Sequence, residues 1–226
     1  MAGQRALFLF DIDGTLINTG GAGSAAMRAA FRALWGHDDG FRGIEFTGRS
    51  DLAIIQDALK AAGLQEGALR EELRRFRRAY YRRLPHTLKA SQGRVLPGVR
   101  DLLERLNHGR AHTVGLGTGN FRTSAAIKLR YYGLWHYFQI GGFGDRTGDR
   151  ATLIAQAIRA SRRAFGRHSD VFVIGDTVHD VRAAKANGAI AVAVATGTTP
   201  AAELDAAGAD LVLATLEGAE KHFLRG

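Results

Sequence analysis

The first strong hydrophobic run in the chain covers residues 7–10, and the rest of the sequence is organised around it. The run ends abruptly in Asp11 and Asp13, which are followed by Gly14 and Thr15. A short apolar run bounded by turn residues predicts a fully buried strand. Because ligands bind at the carboxyl ends of strands in open α/β sheets, both carboxylates are predicted to lie at a ligand site. Two carboxylates this close repel each other unless a cation or a proton lies between them, which indicates a divalent metal.

Between residues 20 and 90 the hydrophobic positions recur at helical spacing, and no segment reads as a strand. One alanine-rich helix is predicted over residues 20–35, and a second begins after Ser50, which is a suitable N-cap. A longer helix follows, with arginines on one face and an apolar stripe on the other. The stripe consists of Leu69, Leu73, Phe76, Tyr80 and Leu84. The position of this helical insertion, directly after the acidic turn, predicts a lid over the ligand site.

From Val95 onward, helices alternate with short apolar strands. The predicted strands cover residues 112–117, 138–141, 170–174, 189–195 and 210–213. The final helix is predicted to be capped by Thr215. This alternation predicts an α/β fold, with a Rossmann-like parallel sheet and helices on both faces, which the opening strand joins from across the insertion. The predicted domains are a discontinuous core of residues 1–18 and 93–226 and an all-helical domain of residues 19–92.

Polar groups also follow two later strands of the predicted sheet. Thr118, Gly119 and Asn120 offer a hydroxyl, an unhindered backbone N–H and an amide, all suited to phosphate oxygens. The alternative for this segment is an ordinary N-cap of the next helix. Asp176 and Asp180 follow another strand, and an N-cap accounts for one aspartate more easily than for both.

A cation in the loop after residues 138–141, either Arg146 or Arg150, is predicted at the same edge of the sheet. Oxygen ligands from carboxylates, completed by a phosphate, suit a hard divalent ion. The predicted cofactor is therefore Mg²⁺.

Composition narrows the classes of function. The chain has 226 residues, of which 46% are hydrophobic and 23% charged, as in ordinary globular proteins. No apolar stretch approaches the length of a membrane span, and no leader precedes the first strand, so a cytoplasmic enzyme is expected. The absence of cysteine excludes a thiol nucleophile and zinc–thiolate sites. The net charge of +9 favours acidic partners, although a solvated arginine-rich helix face is the alternative reading.

The segments DIDGT, GTGN, the basic loop and GDTVHD together resemble the motifs of the haloacid dehalogenase-like hydrolase superfamily, in the family's order and over nearly the whole chain. The resemblance implies that Asp11 is the nucleophile and forms an aspartyl-phosphate. Asp13 would then protonate the leaving alkoxide and later activate water. Thr118 would bind the transferring phosphoryl group. Mg²⁺ would be held by Asp11, Asp176 and the backbone carbonyl of Asp13, with Asp180 supporting it directly or through water.

One position departs from the family pattern, which usually has a lysine in the third motif. No lysine occurs between Lys128 and Lys185. We expect Arg150 to replace it, because this residue begins the helix where that lysine normally lies, and Arg146 is the alternative. An arginine is a permanently charged, bidentate group, so the charge at this position is retained.

The predicted helical domain matches the family's cap, which is inserted after the first motif. The segment FTGRS at residues 46–50 resembles the substrate-facing cap loop of phosphoglycolate phosphatases and β-phosphoglucomutases, which implies that Arg49 binds a carboxylate or second phosphate of the substrate. A surface arginine before a capped helix is the alternative. The other residues assigned to substrate binding are Gly14, Thr15, Gly119 and Asn120.

The predicted function is that of a Mg²⁺-dependent phosphatase of the phosphoglycolate phosphatase-like type, acting on a small phosphorylated metabolite as a monomer or homodimer. The presence of Asp13 argues against dehalogenation, because a departing halide needs no proton. A phosphomutase acting on a sugar phosphate is the alternative within enzymes. An alternative of a different class is a basic nucleotide- or RNA-binding protein without catalysis. Four carboxylates at a phosphate site argue against this alternative, so a nucleic acid is not an expected partner. No membrane partner is expected either, because no apolar stretch is long enough to span one.

Overall fold

A computed structural model describes residues 5–36, 40–63, 69–108 and 112–223 of the chain. Most strands coincide with the short apolar runs of the sequence, and two of them are buried at every position. The strands are β1 (Leu7–Phe10), β2 (Ile17–Asn18), β3 (Arg94–Val95), β4 (Thr113–Thr118), β5 (Ile140–Phe143), β6 (Val171–Gly175), β7 (Ile190–Val194) and β8 (Leu211–Leu213). Six of them form one parallel sheet in the order β5-β4-β1-β6-β7-β8.

The helices include three long ones before residue 91 and a series that alternates with the later strands. They are α1 (Ala22–Trp35), α2 (Asp51–Ala61), α3 (Leu69–Ala90), α4 (Val99–Asn107), α5 (Arg122–Tyr131), α6 (Arg150–Phe165), α7 (Val178–Ala186), α8 (Ala201–Ala206) and α9 (Glu220–Phe223). Among the residues described, no helix is long and apolar enough to cross a membrane.

Strand β1 lies at the centre of the sheet, between β4 and β6, and none of its side chains is exposed. Its residues alternate between the two faces, as a strand requires. Phe8 and Phe10 enter one hydrophobic cluster with residues of α4 and α5, while Leu7 and Leu9 enter another with residues of α6 and α7. Both faces of the sheet are therefore covered by helices, as the sequence predicted.

Helices α1, α2 and α3 form a separate hydrophobic cluster, which is the core of the helical cap. Two short strands, β2 and β3, pair antiparallel where the chain leaves the sheet and returns to it. A side chain at Gly20 would lie 3.2 Å from the backbone of Gln92 and Gly93, so the two connections run in close contact. We propose that the domain boundaries lie here, at residues 18/19 and 92/93.

The prediction that Thr215 caps the final helix is wrong. Helix α9 begins at Glu220, five positions beyond Thr215. The hydroxyl of Thr215 instead accepts a hydrogen bond from the backbone N–H of Glu217, at 3.2 Å, within the preceding turn. A threonine favours local turns as well as helix caps, and the sequence pattern does not separate the two uses.

Candidate active site

Asp11 is the first residue after β1, and the ladder of the sheet holds it in place. Its backbone N–H donates to the carbonyl of Ile174 at 2.9 Å, and its side chain is buried. One carboxylate oxygen, Oδ2, lies 2.7 Å from Nη2 of Arg150, whereas Oδ1 is buried without a hydrogen-bond partner. Burial raises the pKa of Asp11 to about 6, against the opposing effect of Arg150. The strand end therefore presents a carboxylate with one free oxygen.

Arg150 is the first residue of α6, which Asp149 caps by accepting a hydrogen bond from the N–H of Thr152. Its guanidinium bridges two carboxylates, since Nε also donates to Oδ1 of Asp180 at 2.8 Å. Burial lowers the pKa of Arg150, but the two carboxylates outweigh this and raise it above its ordinary value. Arg146 is exposed, so of the two predicted cations the structure places Arg150 beside Asp11.

Asp176 follows β6 and completes a group of three buried carboxylates with Asp11 and Asp180. Each of the three offers an oxygen, and these oxygens lie within 4.8 Å of one another. Burial, together with the charges of Asp11 and Asp180, raises the pKa of Asp176 to about 8. A cluster of buried carboxylates with one unpartnered oxygen and two raised pKa values fits a divalent cation held by oxygen ligands.

Two glycines, Gly14 and Gly197, pack so closely against Asp176 that neither position has room for a side chain. A Cβ on Gly14, whose φ is +86°, would lie 2.2 Å from Oδ2 of Asp176, and one on Gly197 would lie 1.8 Å from the same atom. Thr15 is fully buried and donates to Oδ1 of Asp176 at 3.0 Å. Thr15 therefore orients this carboxylate from beneath, while Gly14 lies along the cavity wall.

Asp180 has a structural role that the sequence reading missed. Thr177 caps α7, and Asp180 returns the contact by accepting hydrogen bonds from the N–H and hydroxyl of Thr177. This capping box uses Oδ2, while Oδ1 accepts from Arg150. The sequence does contain an indication of this role, because the pattern T-x-x-D is typical of a capping box at the start of a helix. Asp180 thus fixes Arg150 as well as offering a carboxylate to the cluster.

The side chain of Asp13 lies apart from the three-carboxylate cluster and faces the cap. Its Oδ2 accepts hydrogen bonds from Nζ of Lys128 at 2.6 Å and from Nδ2 of Asn120 at 2.9 Å. The hydroxyl of Thr118 accepts from the backbone N–H and Nδ2 of Asn120 and lies buried below the cavity lining. Gly119 and Asn120 do line the cavity, and neither acts as a side-chain cap of α5.

Between the core and the cap lies a cavity of about 340 Å³. The core contributes Asp11, Asp13, Arg150 and Asp176 to its lining, and the cap contributes Arg49, Tyr80 and several apolar side chains. The guanidinium of Arg49 lies at the cavity but is paired with Asp57, at 2.5 Å between Nη2 and Oδ2. The apolar part of the cap wall consists of Met27, Phe46 and Ile54.

Cap residue Asp51 binds directly to the core. Its backbone N–H donates to the carbonyl of Gly119, and its Oδ2 accepts from the N–H of Phe121 and the hydroxyl of Ser124, at 2.9 and 2.8 Å. The local sequence does not indicate these contacts, because an acidic residue is favourable in the first turn of a helix whatever it binds. Burial raises the pKa of Asp51, and the charge of Lys128 opposes the rise.

The chain is similar to known proteins in both sequence and fold. A model of the haloacid dehalogenase-like hydrolases matches residues 6–188. The chain is 26% identical over 212 residues to "Probable phosphatase IndB" of Dickeya dadantii, covering 94% of this chain and 90% of that protein. It is 29% identical over 209 residues to the phosphoglycolate phosphatase of Synechococcus elongatus, covering 92% of each. A crystal structure described as a predicted phosphoglycolate phosphatase from Haemophilus somnus has the same fold, with a TM-score of 0.71, 18% identity and coverage of 99% of this chain and 100% of that one.

Proposed function

Because the chain belongs to the haloacid dehalogenase-like hydrolases, we propose that it is a Mg²⁺-dependent phosphatase that hydrolyses a small phosphate monoester through an aspartyl-phosphate on Asp11. The observation that carries the proposal is the environment of Asp11. One of its oxygens is held by Arg150 at 2.7 Å, the other is buried without a partner, and the residue lines the cavity. A fixed carboxylate with a free oxygen, facing a cavity, is suited to nucleophilic attack on phosphorus.

The proposed reaction has two steps. First, a carboxylate oxygen of Asp11 attacks the phosphorus, the bond between phosphorus and the ester oxygen breaks, and Asp13 gives its proton to the departing alkoxide. Second, Asp13 takes a proton from water, the water oxygen attacks the phosphorus, and the bond to Asp11 breaks. The products are an alcohol and inorganic phosphate, and both aspartates return to their starting states.

The proposed metal ligands are Asp11, Asp176 and the backbone carbonyl of Asp13, with Asp180 in support. Bound Mg²⁺ would neutralise the charge of the phosphoryl group and of the carboxylates around it. Arg150 is proposed to neutralise part of the same negative charge, because it places a permanent positive charge between Asp11 and Asp180. Gly119 and Asn120, which line the cavity, are proposed to orient the phosphoryl oxygens, and Thr118 is proposed to support them from below the lining, because its hydroxyl accepts hydrogen bonds from Asn120.

The leaving group is proposed to occupy the cap side of the cavity. We propose a small ester of the phosphoglycolate type, which the similarity to the Synechococcus elongatus enzyme supports. In this proposal Arg49 contacts an acidic group of the substrate and exchanges part of its pairing with Asp57. A bidentate guanidinium suits a carboxylate or a second phosphate.

The test is a phosphate-release screen of small monoesters, including phosphoglycolate, with Mg²⁺ and with a chelator. We expect release that depends on Mg²⁺ and that Asp11→Asn lowers by roughly 10⁴-fold or more, as loss of a nucleophile does in other enzymes. Asp101→Asn is the matched control, because Asp101 is an exposed aspartate in the first turn of α4. It is expected to retain the wild-type rate.

Two results would contradict the proposal: no ester releases phosphate, or Asp11→Asn is as active as the wild type. The screen also separates hydrolysis from phosphoryl transfer. A phosphomutase would convert a sugar phosphate into its isomer with little free phosphate, so the sugar phosphates are assayed for both products.

A further inference from the structure

Lys128 is a buried cation to which the family motifs assign no role. It lies on α5, and only 4% of its surface is exposed. Three residues one or two turns earlier on the same helix face, Phe121, Ser124 and Ala125, are also buried. Burying an ammonium group is costly unless it is paired and hydrogen bonded, so its partners indicate its purpose.

The partners of Lys128 belong to the proton-transfer side of the site. Its Nζ donates to Oδ2 of Asp13 at 2.6 Å and to Oδ1 of Asn120 at 2.7 Å. Asn120 in turn donates from Nδ2 to the same Oδ2 of Asp13, at 2.9 Å. The three side chains thus form a closed triangle in which each contacts the other two. Burial lowers the pKa of Lys128, but the charges of Asp13 and Asp51 outweigh this and raise it, so the group stays an ammonium ion.

We propose that Lys128 is a positioning residue for proton transfer: with Asn120 it fixes the carboxylate of Asp13 so that its other oxygen faces the leaving group. This inference rests on the proposed phosphatase function and adds a residue to it. Lys128 and Asn120 both donate to Oδ2, which leaves Oδ1 of Asp13 to hold the proton that is transferred.

Asp13 needs such support more than its neighbour Asp11 does. The side chain of Asp13 is 40% exposed, whereas that of Asp11 is 8% exposed and is held by Arg150. A partly exposed carboxylate on a loop has several rotamers available. A displacement of about 1 Å at a reacting group costs roughly 10²-fold in rate, so fixing one rotamer has a direct effect on catalysis.

The cap supports the same helix. Ser124, one turn before Lys128 on α5, donates to Asp51, and the N–H of Phe121 at the helix start donates to the same carboxylate oxygen. The helix that carries Lys128 is therefore fixed by a residue of the cap. The cap therefore contacts the same helix that carries the lysine bound to Asp13.

Leaving-group dependence tests the proposal. Alkyl phosphates need a proton from Asp13 as the alkoxide departs, whereas p-nitrophenyl phosphate releases a stable phenolate and needs little assistance. We expect Lys128→Met to lower kcat/KM roughly 10²-fold for the best alkyl ester and less than about threefold for p-nitrophenyl phosphate. The parameter kcat/KM is chosen because it includes departure of the leaving group and excludes the later hydrolysis common to both esters.

Lys185→Met is the matched control, because Lys185 lies on α7 and forms an exposed ion pair with Asp210. It is expected to affect neither ester. Equal losses of kcat/KM for both esters, or no loss for either, would overturn the positioning role. Crystal structures of the wild type and Lys128→Met decide the question independently of activity. We expect the Asp13 carboxylate to leave its position in the variant, and an unmoved carboxylate contradicts the proposal even if the protein proves to have no phosphatase activity.

Discussion

The two aspartates of the opening motif are two residues apart in sequence, yet their surroundings differ in kind. Asp11 is buried, its backbone continues the sheet ladder, and its contacts with Arg150, Asp176 and Asp180 lie within the α/β core. Asp13 is partly exposed, and its carboxylate is held by Asn120 and Lys128 on the side that faces the cap. Asp11 is therefore held by its main chain and by one buried arginine, whereas the carboxylate of Asp13 is held by two side chains.

These surroundings indicate which part of the site depends on the cap. The Asp11 side consists of strand ends and the first turns of α6 and α7. All of these elements belong to the α/β core, so this side of the site is formed without residues of the cap. The Asp13 side includes α5, whose first turn is held by Asp51 from the cap. We infer that binding of metal and phosphate is a property of the core, whereas proton transfer to the leaving group requires the closed cap.

The largest effect on the Asp11 side is expected from Arg150→Met. Removing this guanidinium leaves Asp11 and Asp180 as buried carboxylates without their shared cation. Breaking such a pair costs about 3–5 kcal/mol of unfolding free energy, and we expect a loss of that order in denaturant melts without Mg²⁺. Activity is expected to fall by about 10³-fold for alkyl and aryl esters alike, because the phosphoryl group itself loses a positive charge.

The equal loss for both ester types is what separates Arg150→Met from Lys128→Met. Arg146→Met is the control, because Arg146 is an exposed arginine of the same loop. A leaving-group dependence in Arg150→Met would mean that the two sides of the site are not separate, and the comparison between Asp11 and Asp13 would fail.

The pH dependence of Mg²⁺ binding is the second expected effect, and it concerns the Asp11 side. Burial and neighbouring charges raise the pKa of Asp176 from 3.8 to about 8 in the metal-free protein. Between these two values the folded state holds a proton that the unfolded state has released, so the unfolding free energy of the metal-free protein falls as the pH rises. Mg²⁺ must displace that proton, and its apparent affinity is expected to increase roughly tenfold or more between pH 6 and pH 8.

Thermal melts with and without Mg²⁺ at both pH values measure this effect. The rise in Tm caused by Mg²⁺ is expected to be larger at pH 8 than at pH 6. Asp176→Asn should remove the rise at both pH values. A wild-type Mg²⁺ shift that is the same at pH 6 and pH 8 would contradict the assigned environment of Asp176.

The sequence predicted the parallel sheet, its helical cap and the Asp11 side of the site because these follow from local patterns. Apolar runs end in polar residues, and parallel strands bring such ends to one edge of a sheet. The sequence favoured Arg150 over Arg146, because Arg150 begins the predicted helix, but both residues are close in the chain. In the structure Asp149 caps α6, and Arg150 lies at the first helical position, beside Asp11.

Lys128 and Asp51 were missed because their partners are distant in sequence. Lys128 lies 115 residues from Asp13, and Asp51 lies 70 residues from Phe121. The sequence does indicate that Lys128 is buried, because it shares a helix face with three apolar or small residues at helical spacing. A lysine on the buried face of a helix predicts a buried acidic partner, but the identity of that partner depends on how α5 packs against the first loop.

The smallest effect is expected from Asp51→Asn, and it tests the role of the cap. Oδ2 of Asp51 accepts two hydrogen bonds from the core, and an asparagine oxygen would accept them without the negative charge. Hydrogen bonds to charged groups contribute more than neutral ones, so we expect a loss of about 1–2 kcal/mol of unfolding free energy. Asp101→Asn is the matched control, because Asp101 is an exposed aspartate in the first turn of α4, and such surface substitutions change the unfolding free energy by about 0.5 kcal/mol or less.

The kinetic part of this comparison is more informative than the stability part. If the cap supports proton transfer through α5, Asp51→Asn lowers kcat/KM severalfold for alkyl esters and leaves p-nitrophenyl phosphate nearly unchanged, as expected for a weaker form of Lys128→Met. Asp101→Asn is expected to change kcat/KM for neither ester. If Asp51→Asn instead lowers the rates for both esters equally, the cap acts by enclosing the substrate as a whole, and the coupling from Asp51 through α5 to Asp13 is wrong.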